Sequence, residues 1–428
     1  MALRVLCRWT GAIAPAGCPR ICARMSTATL PAADSHDDSV FVQQANWTKT
    51  AVLNRPKNYN ALTTSMVSRL MELYERWEKQ RNVHFVIIKG RGRAFCAGID
   101  LAQVYYWGKE GLHQEAHDFF KKEYLFDYLL ATYRKPHIAI MNGMVMDGGS
   151  GISIPGKFRV ATENCIFAMP EACIGFHPDA GASFFLSRLP GFLGEYLALT
   201  GERLDGGDMI GCGLATHFIN SHKLGLLEEQ LNLLRIYDPD SRYSEAIKNQ
   251  IDVCADFVEA DEKSPVHKWK AIDKCFSKET VEEILVALER EGADSADGWY
   301  QATVDAIKKA SPLSLKITLR SIRLGRQEVL SECLVREYRT TRRILSAKVS
   351  SDFYEGCRAF VLENDNQPKW HPPVLEQVTS DMVDQYFLEV NDGEELELPV
   401  AEREPLPGKH VKEIEVIENQ IRRDQRGH

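Results

Sequence analysis

The 428 residues contain no Cys-x-x-Cys pair among 11 cysteines and no His-Glu-x-x-His among 12 histidines. Those absences remove the commonest zinc-site and redox-dithiol patterns, so no metal is expected and scattered cysteines read as free core thiols. No apolar run approaches the ~18 residues a membrane span requires, because Gly, Asn or charged side chains interrupt each one. Positive charge is in deficit: Lys+Arg 52 against Asp+Glu 60 gives a formal charge of -8. That balance argues against an electrostatic nucleic-acid binder. Internal repeats and long low-complexity tracts are also missing.

Acidic residues are absent from the first 33 positions. Residues 1–33 hold Arg4, Arg8, Arg20 and Arg24, and the first acid is Asp34. A cationic, acid-free stretch with interspersed apolar residues and hydroxyls reads as a mitochondrial transit peptide. Arg8, Pro15 and Pro19 break the continuous apolar core that a secretory signal needs. Loss of the leader takes the formal charge from -8 to -12. The expected location is the mitochondrial matrix, where thiols stay reduced.

What is present is ordinary globular material, 44% hydrophobic and 26% charged, enough for a substantial core. Ser39–Val52 alternates apolar and polar residues as paired strands do. Met66, Leu70, Leu73 and Trp77 follow at helical spacing. His84–Lys89 and His137–Met141 are short buried-strand runs separated by a helical pattern over 116–133. Phe158–Ala161 and Cys165–Ala168 read as two more strands. Alternating strands and helices predict an α/β portion over 38–220 with at least one parallel layer. Amphipathic helices around 224–236, 281–291 and 298–310 predict a helical portion over 221–388. The Glu-, Lys-, Arg- and Pro-rich residues 389–428 read as a solvated, charged tail.

Two familiar signatures fail. Gly151 to Phe158 has Walker A spacing, but Phe158 stands where a Ser or Thr would bind Mg²⁺. Ser153 is not in a Gly-x-Ser-x-Gly elbow, because Pro155 takes the second Gly position. Four other pieces are more informative. Arg93-Ala94-Phe95-Cys96-Ala97-Gly98-Ile99-Asp100 and Met146-Asp147-Gly148-Gly149-Ser150-Gly151 are small-residue turns after buried strands. Two such turns can each aim a backbone N–H at one carbonyl oxygen. A third piece, Met169 to Ala182, sets Glu171 and Asp179 in apolar, Gly/Pro-punctuated sequence, where carboxyl pKa values rise and separate. The fourth, Phe119-Phe120-Lys121-Lys122-Glu123-Tyr124, puts an acid on an amphipathic helix. Taken singly, these are tight turns, a helix cap and surface charges.

Together and in this order they resemble the crotonase (enoyl-CoA hydratase/isomerase) superfamily over roughly residues 40–385, and within it the 3-hydroxyisobutyryl-CoA hydrolase branch. Further carriers are Phe158-Arg159-Val160-Ala161-Thr162-Glu163, Phe167-Ala168-Met169-Pro170-Glu171, Leu197-Ala198-Leu199-Thr200-Gly201, Ser311-Pro312-Leu313-Ser314-Leu315-Lys316 and Pro368-Lys369-Trp370. The resemblance implies an α/β fold, a spiral of ββα turns followed by a helical C-terminal region that mediates homo-oligomer contacts. It implies oxyanion-hole amides at Ala97 and Gly148, a main catalytic carboxylate at Glu171 with Asp179 as partner, and an acyl contact at Glu123. Glu123, Gly148, Glu171 and Asp179 would bind an acyl-CoA substrate. No separate cofactor is implied, since CoA is part of that substrate. Gly151 stands where the hydratases carry a second glutamate, which favours thioester hydrolysis in valine breakdown. Asp147 replaces a family glycine, His177 an apolar residue and Ala182 a glycine. The run His177 to Gly191 is similar to a plant mitochondrial hydrolase-like subgroup with a member in the small mitoribosomal subunit. A structural role on that subunit is the alternative reading.

Overall fold

The computed structural model describes residues 38–234, 242–389 and 395–403. The expected leader and residues 404–428 of the expected tail lie outside the described residues. The alternating segment forms an antiparallel pair, β1 (Val40–Ala45) and β2 (Thr48–Leu53). β2 then runs parallel to β3 (Phe85–Gly90), which is followed in sequence by the short β4 (Ala94–Cys96). The next two pairs are β5 (His137–Met141) with β6 (Met144–Met146), and β7 (Phe158–Ala161) with β8 (Ile166–Ala168). β9 (His217–Phe218) closes the edge. The six-stranded sheet runs β1-β2-β3-β5-β7-β9 and the three-stranded sheet β4-β6-β8. Each pair therefore gives one strand to each sheet, and every contact after β1–β2 is parallel. This is the ββα spiral expected from the resemblance.

Helices fill the returns: α1 (Thr64–Lys79), α2 (Leu101–Lys109), α3 (His113–Ala131), α4 (Gly148–Ser153), α5 (Ala182–Leu186), α6 (Leu193–Thr200) and α7 (Gly206–Gly211). In α1 the Thr63 side chain caps the first turn by accepting from Met66 N–H, and Met66, Leu70, Leu73 and Trp77 are all buried. The run Phe85–Ile88 is apolar throughout because both faces of β3 are covered. Val86 and Ile88 join the cluster containing α1, whereas Phe85 and Ile87 meet Leu227, Leu231, Ile247 and Ile251. Those four residues belong to α8 (Leu224–Leu233) and α9 (Arg242–Cys254). The first helices beyond residue 220 thus form the outer layer of the sheet.

The remaining helices are α10 (Trp269–Phe276), α11 (Val281–Gly292), α12 (Trp299–Lys309), α13 (Pro312–Gly325), α14 (Leu330–Leu345), α15 (Asp352–Cys357) and α16 (Ser380–Phe387). Their buried residues share one cluster with those of the α/β portion, from Val40 through to Leu396. Part of the segment expected to be a solvated tail is also packed. Leu396 is buried, Glu395 pairs with Arg339 at 2.8 Å, and Arg403 pairs with Glu78 at 2.5 Å. The eight described cysteines are free and buried.

Candidate active site

The turn after β4 is held from outside. Ala97 N–H donates to Tyr59 O at 3.1 Å, Leu62 N–H to Gly98 O at 2.8 Å, and Asp100 N–H to Leu62 O at 3.1 Å. Asn60 adds bonds from Nδ2 to the carbonyls of Ala94 and Phe95. The Ala97 N–H, expected as an oxyanion donor, is therefore committed to Tyr59. The amide of this turn that faces the other one is Ile99, which donates to Asp147 Oδ2 at 2.9 Å.

The expected second turn is instead the start of α4, with Asp147 as its N-cap. Glycines disfavour helix by propensity, but close packing requires them here. A Cβ on Gly148 would lie 2.3 Å from Glu123 Oε1, on Gly149 2.2 Å from Cys96 O, and on Gly151 2.8 Å from both Asp127 Oδ1 and the Ala180 Cβ. Glu123 and Asp127 are one turn apart on α3, so they share a face. The Gly148–Gly151 face of α4 meets that face. Sequence reading found Glu123 and missed Asp127, whose one signal was an acid four residues on in a helix end otherwise rich in buried Tyr, Phe and Leu. The empty Cβ position at Gly151, where a hydratase would carry its second acid, thus touches a carboxylate supplied by another helix.

Glu171 opens the 3-10 turn Glu171–Ile174 after β8, and Asp179 lies in the loop leading to α5. The four acids are nearly solvent-free, with Glu123 at 1%, Asp127 at 3%, Glu171 at 2% and Asp179 at 1% exposure. Among the described residues neither oxygen of Glu123, Asp127 or Glu171 finds a hydrogen-bond partner. Burial pushes all four carboxyl groups well above the usual carboxylate range, and the nearby Asp147 charge pushes each of them further. Asp147 is thus within electrostatic reach of the whole cluster.

Asp179 differs in having a partner. Its Oδ2 accepts from Tyr124 Oη at 2.5 Å, and the Asp147 carboxyl is a close electrostatic neighbour. Tyr124 Oη is 2.9 Å from Thr341 Oγ1, which is in turn 2.9 Å from His177 Nε2. Burial, with the Arg336 charge adding, lowers the His177 pKa to about 3, so its imidazole is neutral. The loop itself is clamped from α14. Glu337 accepts from Gly181 N–H and Ser183 N–H, both at 2.8 Å. Tyr124 reaches Asp179 across 55 positions, Thr341 reaches His177 across 164 and Glu337 reaches Gly181 across 156, distances that no local pattern reveals.

A cavity of about 870 Å³ lies behind the cluster. Asp127, Ala180, Phe158 and Phe184 line it, whereas Glu123, Gly148, Glu171 and Asp179 do not. The acids and the two facing turns bring carboxyl groups and peptide N–H donors together, and Asp127 is the acid they share with that cavity.

A family model described as Enoyl-CoA hydratase/isomerase matches residues 48–387. An Arabidopsis thaliana protein described as 3-hydroxyisobutyryl-CoA hydrolase-like protein 1, mitochondrial, is 48% identical over 86% of this chain and 91% of its own. Another from the same plant, described as small ribosomal subunit protein mS47, is 49% identical over 86% of this chain and 90% of its own. Among solved structures, a carnitinyl-CoA dehydratase from Mycobacterium thermoresistibile superposes with a TM-score of 0.75 at 34% identity, over 85% of this chain and 99% of its own.

Proposed function

This chain belongs to the enoyl-CoA hydratase/isomerase family, and on that premise we propose that it hydrolyses a short-chain 3-hydroxyacyl-CoA thioester, with 3-hydroxyisobutyryl-CoA as the first candidate. The observation that carries the reading is the pair Glu171 and Asp179, two buried carboxyl groups in unlike settings beside the Gly148 turn. Neither Glu171 oxygen has a hydrogen-bond partner, whereas one Asp179 oxygen accepts from Tyr124. Buried carboxyl groups shifted toward neutral pH serve acid and base chemistry in turn.

In the proposed scheme the thioester carbonyl oxygen faces the Gly148 N–H. Water adds its oxygen to the carbonyl carbon as one proton passes to the Glu171 carboxylate. The C–S bond then breaks, and the leaving sulfur takes a proton from Asp179, which Tyr124 orients. Glu123, pressed against Gly148, contacts the acyl group. One well-placed N–H donor is typically worth about 3 kcal/mol to such a step. CoA enters as part of the substrate, and the scheme assigns no role to a metal or separate cofactor. The name of the first relative supports a mitochondrial setting, and the acid-free leader supports import to the matrix.

A second reading is a structural role on the small mitoribosomal subunit, supported by the 49% identity to the ribosomal relative. Free-thiol release from (S)-3-hydroxyisobutyryl-CoA by the purified chain tests the first reading. Glu171→Gln is expected to lower it by roughly 100-fold or more, and full activity in that variant refutes the assigned role. Co-sedimentation with mitochondrial small subunits, measured on the same preparation, tests the second.

A further inference from the structure

We infer that Asp147 is a built-in occupant of the anion site: its carboxylate fills the place where the thioester oxygen would gain charge, and turnover requires that side chain to move aside. The inference rests on the hydrolase reading above for where that oxygen lies. Asp147 takes φ 49° and ψ -128° at the head of α4, a backbone conformation that glycine reaches freely and L side chains rarely adopt. The side chain lies over the opposite turn, since a Cβ on Gly98 would fall 2.4 Å from Asp147 Oδ2 and 2.5 Å from its Cβ. Its Oδ2 accepts from Ile99 N–H at 2.9 Å, and the peptide that follows it in the chain is that of Gly148, at the head of α4. The N–H of one turn is thereby taken by a carboxylate that belongs to the other.

Burial raises the pKa of both carboxyl groups, and their mutual contact offsets this in part at Asp147 while adding to it at Asp179. The groups facing Asp147 are the carboxyls of Glu123, Asp127, Glu171 and Asp179 and the Cys96 thiol. A negative charge among them opposes a second negative charge developing on substrate.

Asp147→Gly tests this, and the backbone angles already suit glycine. Acetoacetyl-CoA is the probe, because its enolate absorbs in the near ultraviolet and reports an oxyanion site without any hydrolysis. The variant is expected to bind the enolate roughly 10-fold more tightly than the native chain, and to release thiol from 3-hydroxyisobutyryl-CoA roughly 10-fold faster. Asp147→Asn, which keeps size and removes charge, is expected to fall between them, and circular dichroism checks that both variants fold. Enolate binding no tighter in Asp147→Gly than in the native chain overturns the inference, whatever the hydrolysis rate. Enolate capture by Asp147→Gly without thiol release leaves the occupant in place and overturns the hydrolase reading. Absence of both signals in both proteins overturns both.

Discussion

A buried carboxyl group without a partner weakens the fold that contains it, and this chain holds several side by side. Glu123, Asp127, Glu171 and Asp179 all titrate above their ordinary values of 3.8 to 4.5. Above pH 4 the unfolded chain therefore holds fewer protons at these positions than the folded one, and stability falls as pH rises toward the folded values. His177 works in the opposite sense: its folded pKa of about 3 against an ordinary 6.5 makes stability fall as pH drops below 6.5. Between pH 6.5 and 8 the His177 contribution is nearly constant, so a slope there reports the carboxyl groups. Thermal unfolding across that window is expected to give a falling Tm, with a shallower fall in Glu171→Gln. A flat profile shared by both proteins would mean that these acids are already ionised in the folded state. At this scale Glu123, Glu171 and Asp179 were legible as members of short words. Asp127 was not, because its significance comes from Gly151 on another helix.

Between elements, the face of α4 against α3 is where packing and chemistry coincide. The Asp147–Gly151 word reads as a turn because three glycines argue against helix, yet it forms one because no side chain fits between this backbone and Glu123, Cys96 and Asp127. Gly148→Ala is therefore expected to act on the site more than on the fold. The added Cβ would meet Glu123 Oε1 at 2.3 Å and the Leu62 Cδ1 at 3.1 Å. Displacing Glu123 and crowding the carbonyl site should cut kcat/KM for the thioester by roughly 100-fold. The helix propensity gain of about 1 kcal/mol offsets part of the strain, keeping the Tm within a few degrees of the native value. A collapse in Tm with kcat/KM unchanged in the surviving folded fraction would assign Gly148 to packing alone. The strand words fared better: the β3 and β5 runs were readable because continuous apolar sequence demands cover on both faces, although which helices supply it was not.

Across the whole molecule, the division near residue 220 marks a change of secondary structure and not of packing. α8 and α9 cover the sheet, and α14 reaches back with Glu337 to hold the Asp179 loop. Residues 395–403 extend this wrapping: Glu395 meets Arg339 through two hydrogen bonds, Leu396 enters the core, and Tyr128 donates to the Arg403 carbonyl. A chain ending at residue 394 is expected to lose about 2–4 kcal/mol, from one buried Leu and two partly shielded ion pairs. Denaturant unfolding beside the full chain measures it. An unchanged midpoint would return this segment to the solvated tail that its composition implied.

Local residue order carried the architecture and the family words, because strand runs, turn glycines and the acids within them are properties of neighbours in the chain. The state of the site depends on partners far apart in sequence. Tyr59 takes the Ala97 N–H, Asp147 takes the Ile99 N–H across 48 positions, and Glu337 fixes the Gly181 turn across 156. A donor or carboxylate has its chemical character set by what it meets and by the water it loses, and both exist only once the chain has closed on itself.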